Sequence, residues 1–334
     1  MKLSQRLFLL NFVAGMLVVA TSANDTMVTL GAGGLVPLKS LEIVLESENL
    51  EISVHQIQVK YRFRNTSDHD VDGTVAFPLP PINGGTLENE PINLPTKNSI
   101  NFVLFHVKVN GKPVSPEVEV RAFDKGKDIS ALLKLYGLPT SLMAARRKNT
   151  IGKLTEAQRA DLLKDGIVGF TETAKPGSSK AEKDWWPWWD MRVQYFWTQR
   201  FPAGQTVEVE HSYAPVVGGS YIVASDNGES SVQPYCGDAE TVKRIQEVKS
   251  HFPGKRDSDP VLLERRVQYI LTTANNWRGP IGNFQLVVNT DGTDDIFAAC
   301  MPGLERISST RYEFQQANFR PDREINLLIL QPNK

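Results

Sequence analysis

Apolar and polar residues alternate through LEIVLESENLEISVHQIQVKYRFRN (residues 41–65), where Ile52, Val54, Ile57, Val59, Tyr61 and Phe63 mark the apolar positions. A period of two is the mark of a half-buried strand, because successive side chains leave the backbone on opposite faces. The one break in parity, near His55 and Gln56, predicts a bulge there. NTSDHDVDG then supplies a turn, TVAFPLP resumes extended structure, and INFVLFHVKV runs to Asn110-Gly111. That dipeptide tolerates the left-handed backbone of a tight hairpin, and KPVSPEVEVRAF returns from it. The pattern predicts antiparallel β structure with one buried face.

The period changes between residues 123 and 189. Ile129, Leu132, Leu133 and Tyr136 share a helical face behind Asp128, and Gly137 and Pro139 stop that helix. Thr155, with Gln158 three residues on, has the capping-box spacing ahead of a second short helix. Its apolar edge is Leu162 and Leu163 and its terminator Gly166. Two short helices in a β protein predict a lid or side cap. TAKPGSSKAEKD reads as a polar, mobile link. Further on, DAETVKRIQEVKSHF is a helix candidate, and RRVQYILTTA, FQLVVNT, RYEFQQANF and INLLIL are strand candidates.

The expected class is therefore mainly β, with antiparallel β-sandwich-type units and a short inserted helical segment. The expected organisation places a first β-sandwich unit in 24–122 and 190–215, and a helical, Trp-rich insertion in 123–189. A second β-rich unit, 216–334, packs on the first.

The first 23 residues stand apart. Lys2 and Arg6 precede an apolar run from Leu7 to Ala20, and Thr21 and Ala23 occupy the −3 and −1 positions of a cleavage site. This is the pattern of a secretory signal peptide. The run is about 14 residues, short of the roughly 20 that cross a bilayer. Cleavage after Ala23 leaves 311 of the 334 residues and moves the net charge from −1 to −3 with the loss of Lys2 and Arg6. A periplasmic or secreted protein is expected, with no transmembrane segment after cleavage. A near-neutral chain carries no electrostatic footprint for nucleic acid. In an oxidising compartment its only two cysteines, Cys236 and Cys300, are expected to form a disulfide.

Four of the six tryptophans fall in DWWPWWD, as Trp185, Trp186, Trp188 and Trp189 around Pro187. Such rings offer broad, rigid apolar faces with a polar N–H, suited to sugar rings or peptides. They are the candidate ligand-binding residues; a plug over the core and a membrane-interface anchor are the alternatives. Trp197 and Trp277 are expected in the core or at its rim.

VHQIQVKYRFRNTSDHDVDGTVAFPLPP, followed by FHVKVNGKPVSPEVEV, resembles the vault protein/inter-alpha-trypsin domain. FPAGQTVEVEHSYAP is similar to that domain's closing strand pair. The resemblance implies a β-sandwich in which Phe63, Arg64, Asn65 and Phe77–Pro80 are structural, and it implies no catalysis. The 123–189 insertion departs from that family, as does the lack of a following von Willebrand-type domain. The exported chain also resembles an uncharacterised family of secreted proteobacterial proteins, carried by ANDTMVTLGAGGLVPLKS and YILTTANNWRGPIGNFQLVV. That likeness implies export and brings no activity.

Catalytic patterns are weak. The five histidines (His55, His69, His106, His211, His251) occur singly, without H-E-x-x-H spacing, and there is no G-x-S-x-G elbow. His106 and His211 read as satisfied neighbours of a sheet face. Gly31–Gly34 lacks the Lys-Ser/Thr of a phosphate loop. Asp68–Gly73 begins like a calcium loop, but the twelfth position is Leu79 rather than glutamate, so a solvated turn is expected. Asp291, Asp294 and Asp295 form a second acidic turn. No catalytic residue, metal or cofactor is assigned. The expected function is a recognition or scaffolding module for an envelope protein or polysaccharide. The alternative is a carboxylate-dependent hydrolase of an envelope glycan or peptide. The sequence does not specify an oligomeric state.

Overall fold

The computed structural model describes residues 24–31, 34–89, 92–93, 95–96, 101–147, 149–174, 181–252 and 254–333. The expected signal segment, 1–23, and the middle of the polar link, 175–180, lie outside them.

The chain begins with β1 (Thr26–Gly31), β2 (Gly34–Leu38), β3 (Ile43–Ile52), β4 (Ile57–Asn65) and β5 (Val71–Pro78). Helix α1 (Gly84–Asn89) and strands β6 (His106–Val109), β7 (Lys112–Val114) and β8 (Glu117–Asp124) follow. The insertion holds α2 (Ser130–Leu135), α3 (Leu142–Arg147), α4 (Glu156–Lys164), β9 (Val168–Ala174) and β10 (Ala181–Pro187). Next come β11 (Asp190–Phe201), β12 (Thr206–Tyr213), β13 (Val217–Val223) and α5 (Ala239–Ser250). The chain closes with β14 (Pro260–Tyr269), β15 (Ile281–Asn289), β16 (Ile296–Ala299), β17 (Arg311–Phe319) and β18 (Ile325–Pro332).

Apart from two-residue bridges at the edges, one sheet runs β8–β11–β5–β1–β2 and a second β17–β15–β3–β4–β12–β6–β7. A third runs β16–β18–β14–β13, and β9 and β10 pair with each other as a separate ribbon. The architecture is mainly β, with antiparallel sheets and a few short helices. The exception is β3 with β15, which pair in parallel from Ser47 opposite Asn283 to Ile52 opposite Val288. That pairing puts a strand from the carboxy-terminal part into the same sheet as β4 and β12.

Strand β4 alternates strictly, with Ile57, Val59, Tyr61, Phe63 and Asn65 inward. They meet the inward side chains of β11, including Val193, Tyr195 and Trp197, in one hydrophobic core. Aromatic stacking knits the two sheets: Phe105 lies 4.3 Å from Tyr195 and 5.2 Å from Phe77, centroid to centroid. Leu133, Leu142, Ile151 and Leu162 of the insertion belong to this same core. A smaller cluster under α5 gathers Ile222, Ile245, Val248, Leu262 and Leu330.

Several sequence expectations need correction. The parity break at His55–Gln56 is a hairpin rather than a bulge. Ser53 Oγ accepts from the backbone N–H of His55 and of Gln56, and Ser53 N donates to Gln56 O, which closes a turn between β3 and β4. The bulge lies at Leu45/Ser47. Residues 101–105 are turn and coil ahead of the short β6, and RRVQYILTTA stops being strand at Tyr269 and runs into a 3₁₀ turn at Thr272–Asn276. Strands β9, β13 and β16 and helix α3 carry no clear periodic signal and are additions. Other local features match the sequence. Thr155 and Gln158 form both halves of a capping box, as do Asp238 and Thr241 before α5. Asn110 and Gly111 both take positive φ, at 49° and 75°, in the β6–β7 hairpin. Asn65, the end of the FRN signature, is buried. It donates to His69 O and Phe201 O and accepts from Ser67 N, so it holds the following turn against β11.

Candidate functional site

Pro187 ends β10, and strand alternation sends Trp185 and Trp186 to opposite faces of the ribbon. Trp185 is half-buried and stands across from Phe170, with ring centroids 5.1 Å apart and the Arg159 guanidinium 5.5 Å from its ring. Trp186 stands across from Gly169, and the Arg146 guanidinium from α3 lies 3.3 Å from its centroid. Arg146 also donates to both carboxylate oxygens of Asp184, at 3.0 and 3.2 Å, and to Trp185 O at 2.9 Å. One guanidinium therefore clamps three consecutive residues through charge, hydrogen bonding and cation–π contact.

Trp188 is exposed, at 39% of its surface, and its indole lies over Gly169. A Cβ at Gly169 would come within 2.0 Å of Trp188 Cζ2, so only glycine admits the ring. Gly84, at the start of α1, is similarly confined: its Cβ would lie 2.2 Å from Pro187 O. Trp189 turns the other way. It is 1% exposed and its Nε1 donates to Thr140 O at 2.9 Å. The DWWPWWD segment thus splits: Trp189 anchors it in the core, Trp185 and Trp186 are half-covered by arginines, and Trp188 faces outward. Trp197 and Trp277 are both buried.

A cleft of about 340 Å³ shares the α1 wall with this surface. Its apolar side is Leu79–Ile82, which begins within the Phe77–Pro80 stretch, and its polar side includes Asn83, Thr86, Arg266 and Gln268. Asn83 links cleft to ribbon, since its Nδ2 donates to Asp190 Oδ1 at 2.6 Å and its Oδ1 accepts from Thr86 N at 2.8 Å. No Asp or Glu lines this cleft.

The strongest perturbation of charge lies elsewhere, inside the sandwich. The bulge at Leu45/Ser47 reverses the parity of β3, so that Glu48 points inward with Leu50 and Ile52. Glu48 is fully buried; Oε2 accepts from Asn24 Nδ2 at 2.9 Å and Oε1 from Tyr269 Oη at 3.2 Å. Tyr269 and Tyr61 hydroxyls are 2.8 Å apart. Burial pushes the Glu48 carboxyl up to about 8, against the opposing pull of those two hydrogen bonds. Asp25, also fully buried, is raised first by burial and then by the nearby Glu48 charge. Its carboxylate oxygen lies 3.5 Å from His211 Nε2, within ion-pair range, but neither side chain makes a hydrogen bond. Burial pushes His211 down to about 3. Burial disfavours the charged form of both groups in this contact. His211 is thus buried but unsatisfied, unlike the expected satisfied sheet histidine. Sequence inspection missed this cluster. Its one signal is the change of apolar parity from Ile43 and Leu45 to Leu50 and Ile52, which puts Glu48 on the apolar side.

The remaining candidates scatter. His55 pairs with Asp291, and His69 with Glu42 and Asp68, at the surface. Asp70 and Asp72 face the Arg200 guanidinium, and Asp295 accepts from the backbone N–H of Asp291 and Gly292 to close its own turn. Among the described residues no group of three or more His, Cys, Asp or Glu side chains is placed to hold a metal ion. No described helix is long and apolar enough to cross a membrane. Cys236 and Cys300 form the expected disulfide, which ties the entrance of α5 to the end of β16.

Residues 23–328 match the family described as Domain of unknown function (DUF4424). The chain belongs to the DUF4424 family. The likeness to an uncharacterised family therefore holds at the level of the domain. Among curated proteins none matches. One solved structure that the chain matches at a distance is a protein with a suggested nutrient-binding role from Legionella pneumophila subsp. pneumophila str. Philadelphia 1. It is 18% identical, with a TM-score of 0.46, over 92% of this chain and 70% of that one. A likeness so distant carries no argument about what a DUF4424 chain binds.

Proposed function

We propose that this DUF4424 protein is a periplasmic or secreted recognition module that contacts an envelope glycan through the Trp188 side of its ribbon. The observation that carries this reading is the exposed Trp188 indole, packed against Gly169 beside the arginine-clamped Trp186. Trp188 offers an apolar face for a sugar ring, and the neighbouring Trp186, with Arg146 over its ring, Thr171 on its N–H and Asp184 held by the same arginine, brings polar groups for its hydroxyls. The adjoining cleft extends that surface under the same α1 wall. The hydrolase alternative has less support: Asp25 and Glu48 are enclosed in the core, whereas glycoside chemistry needs two carboxyls across an open cleft.

A crosslinking pull-down from the cell envelope tests the proposal, with wild type compared to a Trp186→Ala/Trp188→Ala variant that retains Trp189 as core anchor. Circular dichroism checks both for folding. Recovery of polysaccharide by wild type alone supports the glycan reading. Recovery of a protein by wild type alone moves recognition to the envelope-protein form. An unchanged capture profile with both proteins folded refutes the ribbon as the contact surface.

A further inference from the structure

Two buried acids, Asp25 and Glu48, belong to one cluster through Asn24, which holds Glu48 and precedes Asp25, and among the described residues neither forms an ion pair with a lysine or arginine. Tyr61 of β4, His211 and Tyr213 of β12, Tyr269 of β14, and Thr273 and Trp277 beyond it are the groups that meet them or each other there. The donor supply is also short. Among the described residues, Asn24 Oδ1 and both carboxylate oxygens of Asp25 are buried acceptors that meet no hydrogen-bond donor. A buried acceptor without a donor costs about 1–3 kcal/mol.

The main-chain nitrogen of Asn24 sits inside this cluster. Asn24 is fully buried, its N–H donates to Thr273 Oγ1 at 2.5 Å, and its side chain holds Glu48. Asn24 is also the residue that follows the cleavage site after Ala23. We propose that the α-ammonium group released at Asn24 by removal of residues 1–23 is the cation for which this cluster is built. Hydrolysis of the Ala23–Asn24 bond by a leader peptidase adds water across it. The Ala23 carbonyl keeps the hydroxyl as a carboxylate, and the nitrogen of Asn24 takes up protons to become an ammonium.

As a peptide N–H, that nitrogen has one donor, already used by Thr273. As an ammonium it has three donors and a positive charge. The two added N–H bonds would supply donors where buried acceptors lack them, and the charge would arise on the residue whose side chain holds Glu48 and which precedes Asp25. A buried carboxylate with a hydrogen-bonded cation is tolerated where an unpaired one is not. The new amino terminus thus becomes part of the sandwich core, and the chain reaches full stability only after processing. The uncleaved chain is the weaker fold, and processing and final folding are coupled. This inference rests on the cleavage expectation within the export reading and is independent of the tryptophan ribbon.

The test compares chains that begin at Asn24 with chains carrying one extra alanine ahead of it, each also as Glu48→Gln. Mass spectrometry of the exported protein reads the natural first residue. With Asn24 first, the extension should lower Tm by roughly 5–8 °C, the loss of one partner from a buried ion pair in a chain of about this length. In the Glu48→Gln background the extension should cost less than half as much. Native acetylation of the Asn24 amine should run at least about a hundredfold slower than in the unfolded chain, because a buried amine reacts only through opening. Should the extended chain fail to fold, its rescue by Glu48→Gln replaces the Tm difference. Equal Tm values together with a freely reacting amine would overturn the site. A natural terminus elsewhere would overturn the cleavage expectation and this proposal with it, leaving the ribbon's capture test unaffected.

Discussion

Glu48 offers a pH-dependent test of the buried cluster that needs no ligand. In a chain whose Asn24 nitrogen is still peptide-bonded, the Glu48 carboxyl is pushed from 4.5 to about 8 by burial. A group whose folded pKa is raised binds its proton more tightly in the folded state. Its contribution to stability is complete below pH 4.5 and is lost as pH rises to about 8. At 1.36 kcal/mol per pKa unit, that shift amounts to about 5 kcal/mol across the window, an upper figure because the core can relax. Glu48→Gln keeps an acceptor oxygen for Asn24 and turns an NH2 towards the Tyr269 hydroxyl, which can accept, but it cannot ionise, so it should remove this component. Asp25 is raised in the same direction, so a residual slope should remain. Urea unfolding followed by tryptophan fluorescence between about pH 5 and 8 measures both proteins in the alanine-extended form. The variant should match the parent near pH 5 and exceed it by several kcal/mol near pH 8. Parallel pH profiles, within about 1 kcal/mol of each other throughout, would refute the placement of Glu48 as a buried, proton-retaining acid.

Two further predictions follow from covalent and steric geometry. Replacing both Cys236 and Cys300 by serine opens a loop with a sequence separation of 64, and the chain-entropy relation gives a loss of about 4 kcal/mol; a loss below about 1 kcal/mol in urea unfolding would contradict it. Gly169→Ala drives a methyl group into the Trp188 indole; the ring should leave its seat, shift tryptophan emission to the red and cost about 1–3 kcal/mol, while unchanged emission and stability would contradict the packing of Trp188 on Gly169.

The elements most legible in the sequence are those set by a few neighbouring residues. Strand β4 shows its buried face in the alternation of Ile57, Val59, Tyr61 and Phe63, because that parity is a property of the extended backbone alone. The helix start at Thr155 and the hairpin at Asn110-Gly111 are equally local, one resting on reciprocal hydrogen bonds across three residues and the other on left-handed backbone. The parity break at His55 was visible too, but a bulge and a hairpin shift the alternation alike. The turn closed by Ser53 decides between them.

What depended on distant partners was not legible. Four clustered tryptophans identify a place of interest. Only the packing of α3 and α4, the space over Gly169 and the carbonyl of Thr140 assign them different environments. The parity change in β3 hints that Glu48 turns inward, but the pairing of β3 with β4 around the bulge decides it. Nothing in the sequence around Asn24 and Asp25 shows that Thr273 and Trp277, some 250 residues away, bond them in the interior. Sequence alone determined the class of fold and the disulfide candidates, since each rests on local periodicity or composition. Tertiary structure decided which polar groups lie in a low-dielectric interior, because desolvation depends on everything packed around a side chain and not on its neighbours along the chain.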